Sequence, residues 1–251
     1  MAPNETSRLD KPRSSEDLLS PGMVVHLTED GAPIAGGPDI LQMLTAEEFA
    51  ALAAAGRETT YATDQHLFKQ GDPHDGIHFI KSGRVRSYYV SPGGREITLA
   101  YWPKGHFVGA PQILGGGEHM WTSIAVEPTV GLWLPGAKLR ELINGTPNLA
   151  NAVIEGLVYK SMCYTALLQI MGTQSKTSRL GHLLLTVASA AENNRAVVRQ
   201  HFTQEELANM VGSTRQSISS SLDKFENQGL IERNGDRIVI TDVNGLRGLC
   251  D

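Results

Sequence analysis

The spacing of hydrophobic positions changes character along the chain. Residues 1–40 are rich in Pro, Gly, Ser and charge and carry few large apolar residues apart from Met23-Val24-Val25. That composition predicts an irregular extension, with at most a short edge strand at 23–27. Thr45 and, three residues on, Glu48 form a capping box, which opens a short helix running through Ala55. From Thr59 to Pro135 short β-rich runs alternate with Gly-containing turns: HLFKQGD, GIHFIKSGRVRSYYVSPGGREITLAYW, KGHFVGA, WTSIAVE and VGLWLP. Residues 84–90 and 95–101 read as a hairpin around Ser91-Pro92-Gly93-Gly94. Gly71, Gly83, Gly94, Gly105 and Gly109 mark the corners. Many short strands with Gly-rich corners predict an antiparallel barrel or jelly roll.

Beyond Pro135 the period becomes helical. Ala137 to Asn144 reads as a short helix, and Pro147 suits the first turn of the next one, which runs to about Met171. Ile154, Leu157, Ser161, Tyr164, Leu168 and Met171 follow 3,4,3,4,3 spacing, the pattern of a coiled-coil seam. An ordinary core-facing stripe has the same spacing over so short a segment. The two polar positions at mid-helix favour a dimer interface with something to recognise there. Gly172-Thr173-Gln174 reads as a hinge. A helix at 175–192 then leads through Asn193-Asn194 to a short strand at 197–200.

Residues 202–231, FTQEELANMVGSTRQSISSSLDKFENQGLI, hold the most chemistry. Thr203 suits a helix N-cap, with Glu205 and Glu206 in the first turn. Leu207, Ala208 and Val211 give that helix one apolar face, and Gly212 permits a sharp turn. Ser213 or Thr214 caps a second helix, with Ile218, Leu222 and Phe225 at helical spacing. Two short helices joined by a Gly turn form a helix-turn-helix, whose second helix fits the DNA major groove. Its exposed face carries Arg215, Gln216, Ser217, Ser219 and Ser220. Arg pairs bidentately with guanine and Gln with adenine. An αα-hairpin in any helical domain would show the same pair of helices. The residues from Gly229 to Ile240 separate the two possibilities. Gly229 ends the second helix, Leu230-Ile231 starts a strand, Asn234-Gly235 signals a hairpin turn, and Arg237 to Ile240 returns. A helix pair leading into a β-hairpin is a winged helix. Arg233 and Arg237 flank the wing turn, within reach of phosphate.

Bulk properties narrow the setting. The 251 residues suffice for two domains. No run approaches the ~18 apolar residues of a membrane span, and no basic region followed by an apolar core opens the chain. Cys163 and Cys250 lie far apart, which suggests a reducing, cytoplasmic setting and excludes a four-Cys metal or iron–sulfur site within one chain. A net charge of −5 counts against a nucleic-acid coat protein, though not against a regulator with a small reading head. No nucleophile–base pair, metal triad or phosphate loop suggests an enzyme; GGPD at 36–39 and LGGGE at 114–118 lack the strand-to-helix context of a phosphate site.

The order of parts resembles the cyclic-AMP receptor/fumarate-nitrate regulator (CRP/FNR) family of bacterial transcription factors. The resemblance covers about residues 41 to 245 and rests on LFKQGD (67–72), FIKSGRVR (79–86), GREITLAYWPKGHFVG (94–109), TSRLGHLLL (177–185) and GSTRQSISSSLDKFENQGLI (212–231). It implies an α+β fold in four parts. An irregular extension at 1–40 precedes a double-stranded β-helix (jelly-roll) sensor domain at 41–146. A dimerisation helix and hinge come next at 147–172, then a C-terminal winged helix-turn-helix at 173–251. It further implies a homodimer on a palindromic DNA operator, with RNA polymerase as a partner if the protein activates. Carried over onto the reading head, it marks Thr203, Ser213, Thr214, Arg215, Gln216, Ser217, Ser219, Ser220, Arg233 and Arg237. Gln216 replaces the family's Glu and Ser220 a long basic side chain, so an altered half-site is expected.

The ligand positions depart further. Cyclic-AMP sensors carry a Gly-Glu pair and later an Arg-Ser pair; here Gly109 is followed by Ala110, and Met120-Trp121 stand at the Arg-Ser positions. Burying a phosphate with no cation is costly, so cyclic AMP is not expected to bind. No cysteine precedes Cys163, so no iron–sulfur cluster is expected. Haem stays open only through an axial His74, His78, His106 or His119, and a histidine alone is not diagnostic; the expectation is no cofactor and no metal. By the family's geometry an apolar, aromatic pocket would be lined by Phe107, Gln112, Ile113, His119, Met120, Trp121, Thr122, Tyr164 and Thr165, and would take a small apolar or aromatic effector. A haem or redox sensor (the latter through Cys163) and a ligand-independent regulator are the alternatives.

Overall fold

A computed structural model describes residues 37–109, 116–199, 201–235 and 237–250. The expected edge strand at 23–27 and the candidates Gln112 and Ile113 lie outside them. After a 3₁₀ turn at Ile40–Met43, α1 spans Ala46–Ala55. The capping box is formed as the sequence predicts: Thr45 Oγ1 accepts from Glu48 N, and Thr45 N donates to Glu48 Oε2. Ile40, placed by the sequence at the end of the extension, is instead fully buried. It packs where Gly156 leaves room: a Cβ there would lie 2.6 Å from Ile40 Cδ1 and 2.7 Å from Phe107 Cε1.

Among the described residues eight strands make the roll: β1 Arg57–Tyr61, β2 His66–Phe68, β3 Gly76–Ser82, β4 Arg84–Val90, β5 Glu96–Pro103, β6 Phe107–Val108, β7 Thr122–Ala125 and β8 Thr129–Pro135. They form two antiparallel four-stranded sheets, ordered β1-β8-β3-β6 and β2-β7-β4-β5. The long hairpin pairs β4 with β5 from Arg84↔Pro103 to Val90↔Glu96. All five predicted corner glycines have φ between 78 and 88°, a region that side chains with a Cβ disfavour. Phe79, Phe107, Leu132, Leu134 and Ile77 fill one core region, and Trp102, Val85, Ile80 and Phe68 another.

Helix α2 (Gly136–Gly145) leads to α3, which runs from Pro147 to Thr173 with Pro at its start. Gly172 therefore lies inside the last turn of α3, and the chain turns only at Gln174, whose ψ is 144°. Helix α4 spans Lys176–Val187 and ends five residues earlier than the sequence predicts. Residues 188–192 have the composition for helix, but Ala188 bridges to Val198 and Glu192 to Arg195 around Asn193 and Asn194, both with positive φ. Asparagine tolerates that conformation, and the resulting hairpin takes the chain from the helix.

Strand β9 (Ala196–Val197) joins a three-stranded sheet ordered β10-β11-β9, with β10 at Ile231–Asn234 and β11 at Arg237–Ile240. Between them lie α5 (Gln204–Val211) and α6 (Arg215–Asn227), and α7 (Val243–Gly248) closes the module. Leu207, Val211, Ile218, Leu222 and Phe225 share one core with Leu180, Leu184, Ile231, Ile240 and Leu246. The fold is therefore an α+β β-roll, long helix and winged helix-turn-helix. Among the described residues no helix is long and apolar enough to cross a membrane.

Candidate functional site

The C-terminal module presents α6 outward. Thr203 and Glu206 form a reciprocal capping box at α5, Gly212 ends that helix in the left-handed region (φ 61°), and Thr214 Oγ1 accepts from Ser217 N to start α6. Arg215, Gln216 and Ser220 are exposed at the start of α6, with Ser217 and Ser219 half-buried beside them. An open groove bounded by Thr203, Glu205, Arg215 and Gly235 separates the helices from the wing.

Two of the expected DNA contacts are placed differently. Ser213 is 2% exposed, and its N–H donates to Ala208 O within the turn, so its side chain belongs to the packing of the helix pair. Arg233 does not reach out from the wing. Its Nε donates to Glu226 Oε2 (3.0 Å) and its Nη2 to Asp223 Oδ1 (2.6 Å), tying β10 to α6. Those carboxylates neutralise the charge that a phosphate would need. Arg237, paired in register with Asn234, stays exposed at the wing.

The second site is a cavity of about 390 Å³ between the roll and α3. Trp121, Tyr164 and Thr165 line it, as expected from the sequence. So do Val108 and Gly109, in the stretch from Phe107 to Gln112 where the resemblance puts the roll side of the pocket, and Ser87, Trp102, Lys160 and Ser161, which the sequence pattern did not single out for it. Trp102 and Trp121 stand 6.3 and 6.2 Å from the Tyr164 ring, at 88° and 57°. Trp102 Nε1 donates to Ser87 Oγ at 3.1 Å, which fixes the indole. Lys160 is 8% exposed, with Nζ 3.1 Å from the Trp102 ring centroid and 4.9 Å from that of Phe107. Burial holds its amine well below the usual lysine range.

The other expected lining residues that the structure describes are elsewhere. Met120 is 75% exposed and faces solvent. His119 stacks on Phe68 at 3.7 Å with His74 beside it, outside the cavity wall. Thr122 Oγ1 accepts from Gln70 N, and Phe107 is fully buried in the core beneath α3. Of the other histidines, His78 pairs with the Tyr61 hydroxyl at 3.1 Å and His106 packs between Trp102 and Tyr159. Burial pushes His78, His106 and His119 down to about 4. Among the described residues no group of three or more His, Cys, Asp or Glu is placed to hold a metal ion. Cys163 is 1% exposed, and burial pushes its thiol up to about 11, which disfavours the thiolate.

The seam of α3 divides between two surfaces. Ile154, Leu157, Ser161 and Leu168 are exposed, together with Val158 and Met162, which the seam pattern omitted. Tyr164 turns instead towards the two tryptophans, and Met171 packs on the helix-turn-helix, where a Cβ on Gly212 would lie 2.6 Å from its Cε.

A β-roll with a cavity, a long connecting helix and an outward-facing recognition helix define a DNA-binding regulator with a sensor domain. The cyclic nucleotide-binding domain family matches residues 58–146, and the Crp-like helix-turn-helix domain family matches residues 178–249. The chain is 28% identical over 193 residues to the anaerobic regulatory protein of Haemophilus influenzae, covering 76% of this chain and 75% of that one. It is 25% identical over 195 residues to the cyclic AMP receptor protein of Thermus thermophilus, covering 78% and 88%. Among solved structures, the c-di-GMP responsive global regulator CLP of Xanthomonas campestris superposes with a TM-score of 0.70 at 19% identity, over 78% of this chain and 99% of that one. A CooA mutant from Carboxydothermus hydrogenoformans gives 0.65 at 21%, over 84% and 95%. The chain belongs to the CRP/FNR family of transcription regulators, whose members are not enzymes.

Proposed function

We propose that this regulator works in the cytoplasm as a homodimer on a palindromic operator, controlled by a small effector other than cyclic AMP in the cavity between the roll and α3. The observation that carries the reading is the joint placement of an exposed Arg215-Gln216 pair at the start of α6 and an aromatic cavity on α3. The two recognition helices would enter successive major grooves about 34 Å apart. The apolar stripe of Ile154, Val158 and Met162 supports the dimer, since three large apolar side chains on one exposed helix face favour burial. Met120 and Trp121, where cyclic-AMP sensors carry Arg and Ser, support an effector of different chemistry. No resident cofactor is part of the reading. The haem alternative is weakened because none of the four candidate histidines lines the cavity. A redox role for Cys163 is weakened by its burial. RNA polymerase is a partner if the operator lies where the protein activates.

Fluorescence anisotropy on family-type palindromes tests the reading head. Arg215→Ala should weaken binding to the preferred operator by about 10- to 100-fold and relax base preference at one half-site position. An unchanged sequence preference would remove Arg215 from the reading head. Calorimetry with cyclic AMP should show no heat of binding.

A further inference from the structure

We propose that the cavity takes a small aromatic monoanion, an aryl carboxylate, whose charge is received by the ammonium of Lys160. The inference rests on the effector-pocket reading above and adds the ligand's chemistry to it.

Lysine is almost never buried without a partner. Lys160 is buried, and its Nζ makes neither a hydrogen bond nor an ion pair with any described residue. It rests on the π faces of Trp102 and Phe107 and lines the cavity. An aromatic face attracts a cation but supplies no counter-charge. An anion in the cavity would supply it and favour the protonated amine.

The rest of the wall decides what carries the anion. Trp102, Trp121 and Tyr164 present rings at steep mutual angles, and Val108, Leu157 and Leu168 add aliphatic surface. A flat apolar body fits between them. Ser161 and Thr165 offer neutral hydroxyls only, and Ser87 Oγ is already engaged by Trp102 Nε1 and Ser123 Oγ. One ammonium balances one negative charge. A phosphomonoester dianion would leave a surplus charge desolvated, and a cation would meet Lys160 as a like charge. The volume of about 390 Å³ sits at the small end of ligand sites and suits one or two rings.

The test uses the full chain, with calorimetry and quenching of tryptophan fluorescence as readouts. Phenylacetate and 3-phenylpropionate are each compared with their carboxamides, which keep the body and remove the charge; cyclic AMP is a further arm. Wild type should bind the acids at least roughly tenfold more tightly than the amides. Lys160→Met should lose that preference while amide binding stays, and Lys160→Arg should keep it; thermal melts establish that both variants are folded. Amides binding as well as acids would overturn the Lys160 assignment and leave the pocket standing. Cyclic AMP binding more tightly than the acids would overturn the ligand class. Wild type binding neither acids nor amides would overturn both this inference and the pocket reading.

Discussion

Lys160 sits on the buried stripe of α3, between Gly156 and Cys163, where a methylene chain is welcome and an ammonium is not. The nearby titratable groups offer no counter-charge at neutral pH: Cys163 is held protonated, Tyr164 is pushed above the usual phenol range, and His106 is held neutral. Lys160→Met should therefore stabilise the ligand-free protein by about 1–4 kcal/mol, as replacement of buried charge by apolar side chains often does. The pH dependence has a definite sign. The folded state binds fewer protons than the unfolded one between the depressed folded pKa of Lys160 and its ordinary 10.5. Unfolding free energy therefore rises with pH across that window as the penalty fades. Urea denaturation at pH 7 and pH 9.5 should show the gap between Lys160→Met and wild type narrowing at the higher pH. A constant gap would mean that Lys160 has ordinary solvation in the folded state.

Helix α3 shows what spacing along a sequence can and cannot say. Two stripes with nearly the same period run side by side. One, Val153, Gly156, Lys160 and Cys163, faces the roll, and the other, Ile154, Val158 and Met162, faces solvent. The seam drawn through Ile154, Leu157, Ser161, Tyr164, Leu168 and Met171 starts on the second stripe and crosses towards the roll at Tyr164, because periodicity fixes the pitch of a stripe and not which neighbour it meets. The buried stripe was present at i, i+3, i+7 spacing, and Lys160 on it was the signal that could have revealed the cavity's charge. Local rules were more legible. Thr45, Thr203 and Thr214 cap helices, Gly212 makes the turn, and the corner glycines adopt positive φ, since each depends on a few adjacent residues. Arg233 was not legible, because its partners Asp223 and Glu226 lie across a helix–strand packing that short-range patterns do not encode. In the proposed dimer the solvent-facing stripe meets its copy, so Ile154→Glu with Met162→Glu would desolvate carboxylates at a two-fold interface. That pair should weaken dimerisation by roughly 100-fold or more, about 3 kcal/mol, with circular dichroism unchanged. Light scattering reads the mass directly, and a variant that stays dimeric would move the interface off α3.

Across the whole molecule, the winged helix is held by the sensor at two places. Helix α5 packs on β5, with Asn209 Nδ2 donating to Glu96 Oε2 at 3.3 Å, and the end of α3 packs Met171 on Gly212. Arg179 joins these contacts from α4. Its Nε donates to Val211 O at 2.8 Å, its Nη1 to Gln174 O at 3.0 Å, and its Nη2 to Gly212 O at 3.4 Å. The carbonyls at the C-terminal ends of α3 and α5 are the negative ends of their helix dipoles, so one guanidinium fork satisfies both ends and fixes their separation. The cavity wall at Leu168 lies one turn of α3 before Met171, so a ligand that shifts this wall acts on the same clamp. Coupling of this kind requires the ligand to prefer one arrangement of the clamp, and typical coupling changes affinity by about 5- to 150-fold. Arg179→Lys keeps the charge and loses the fork. It should bring the ratio of operator affinities with and without phenylacetate towards one, while the acid and the operator each still bind on their own. Arg179→Ala should go further and destabilise the winged helix by about 1–3 kcal/mol, because buried carbonyls lose their donors. Anisotropy titrations of wild type and Arg179→Lys, with and without the acid, measure the ratio, and scanning calorimetry measures the stability. A wild-type ratio in Arg179→Lys would show that the signal reaches α6 through the α5–β5 contact instead, and Asn209→Ala would then be the variant that removes it.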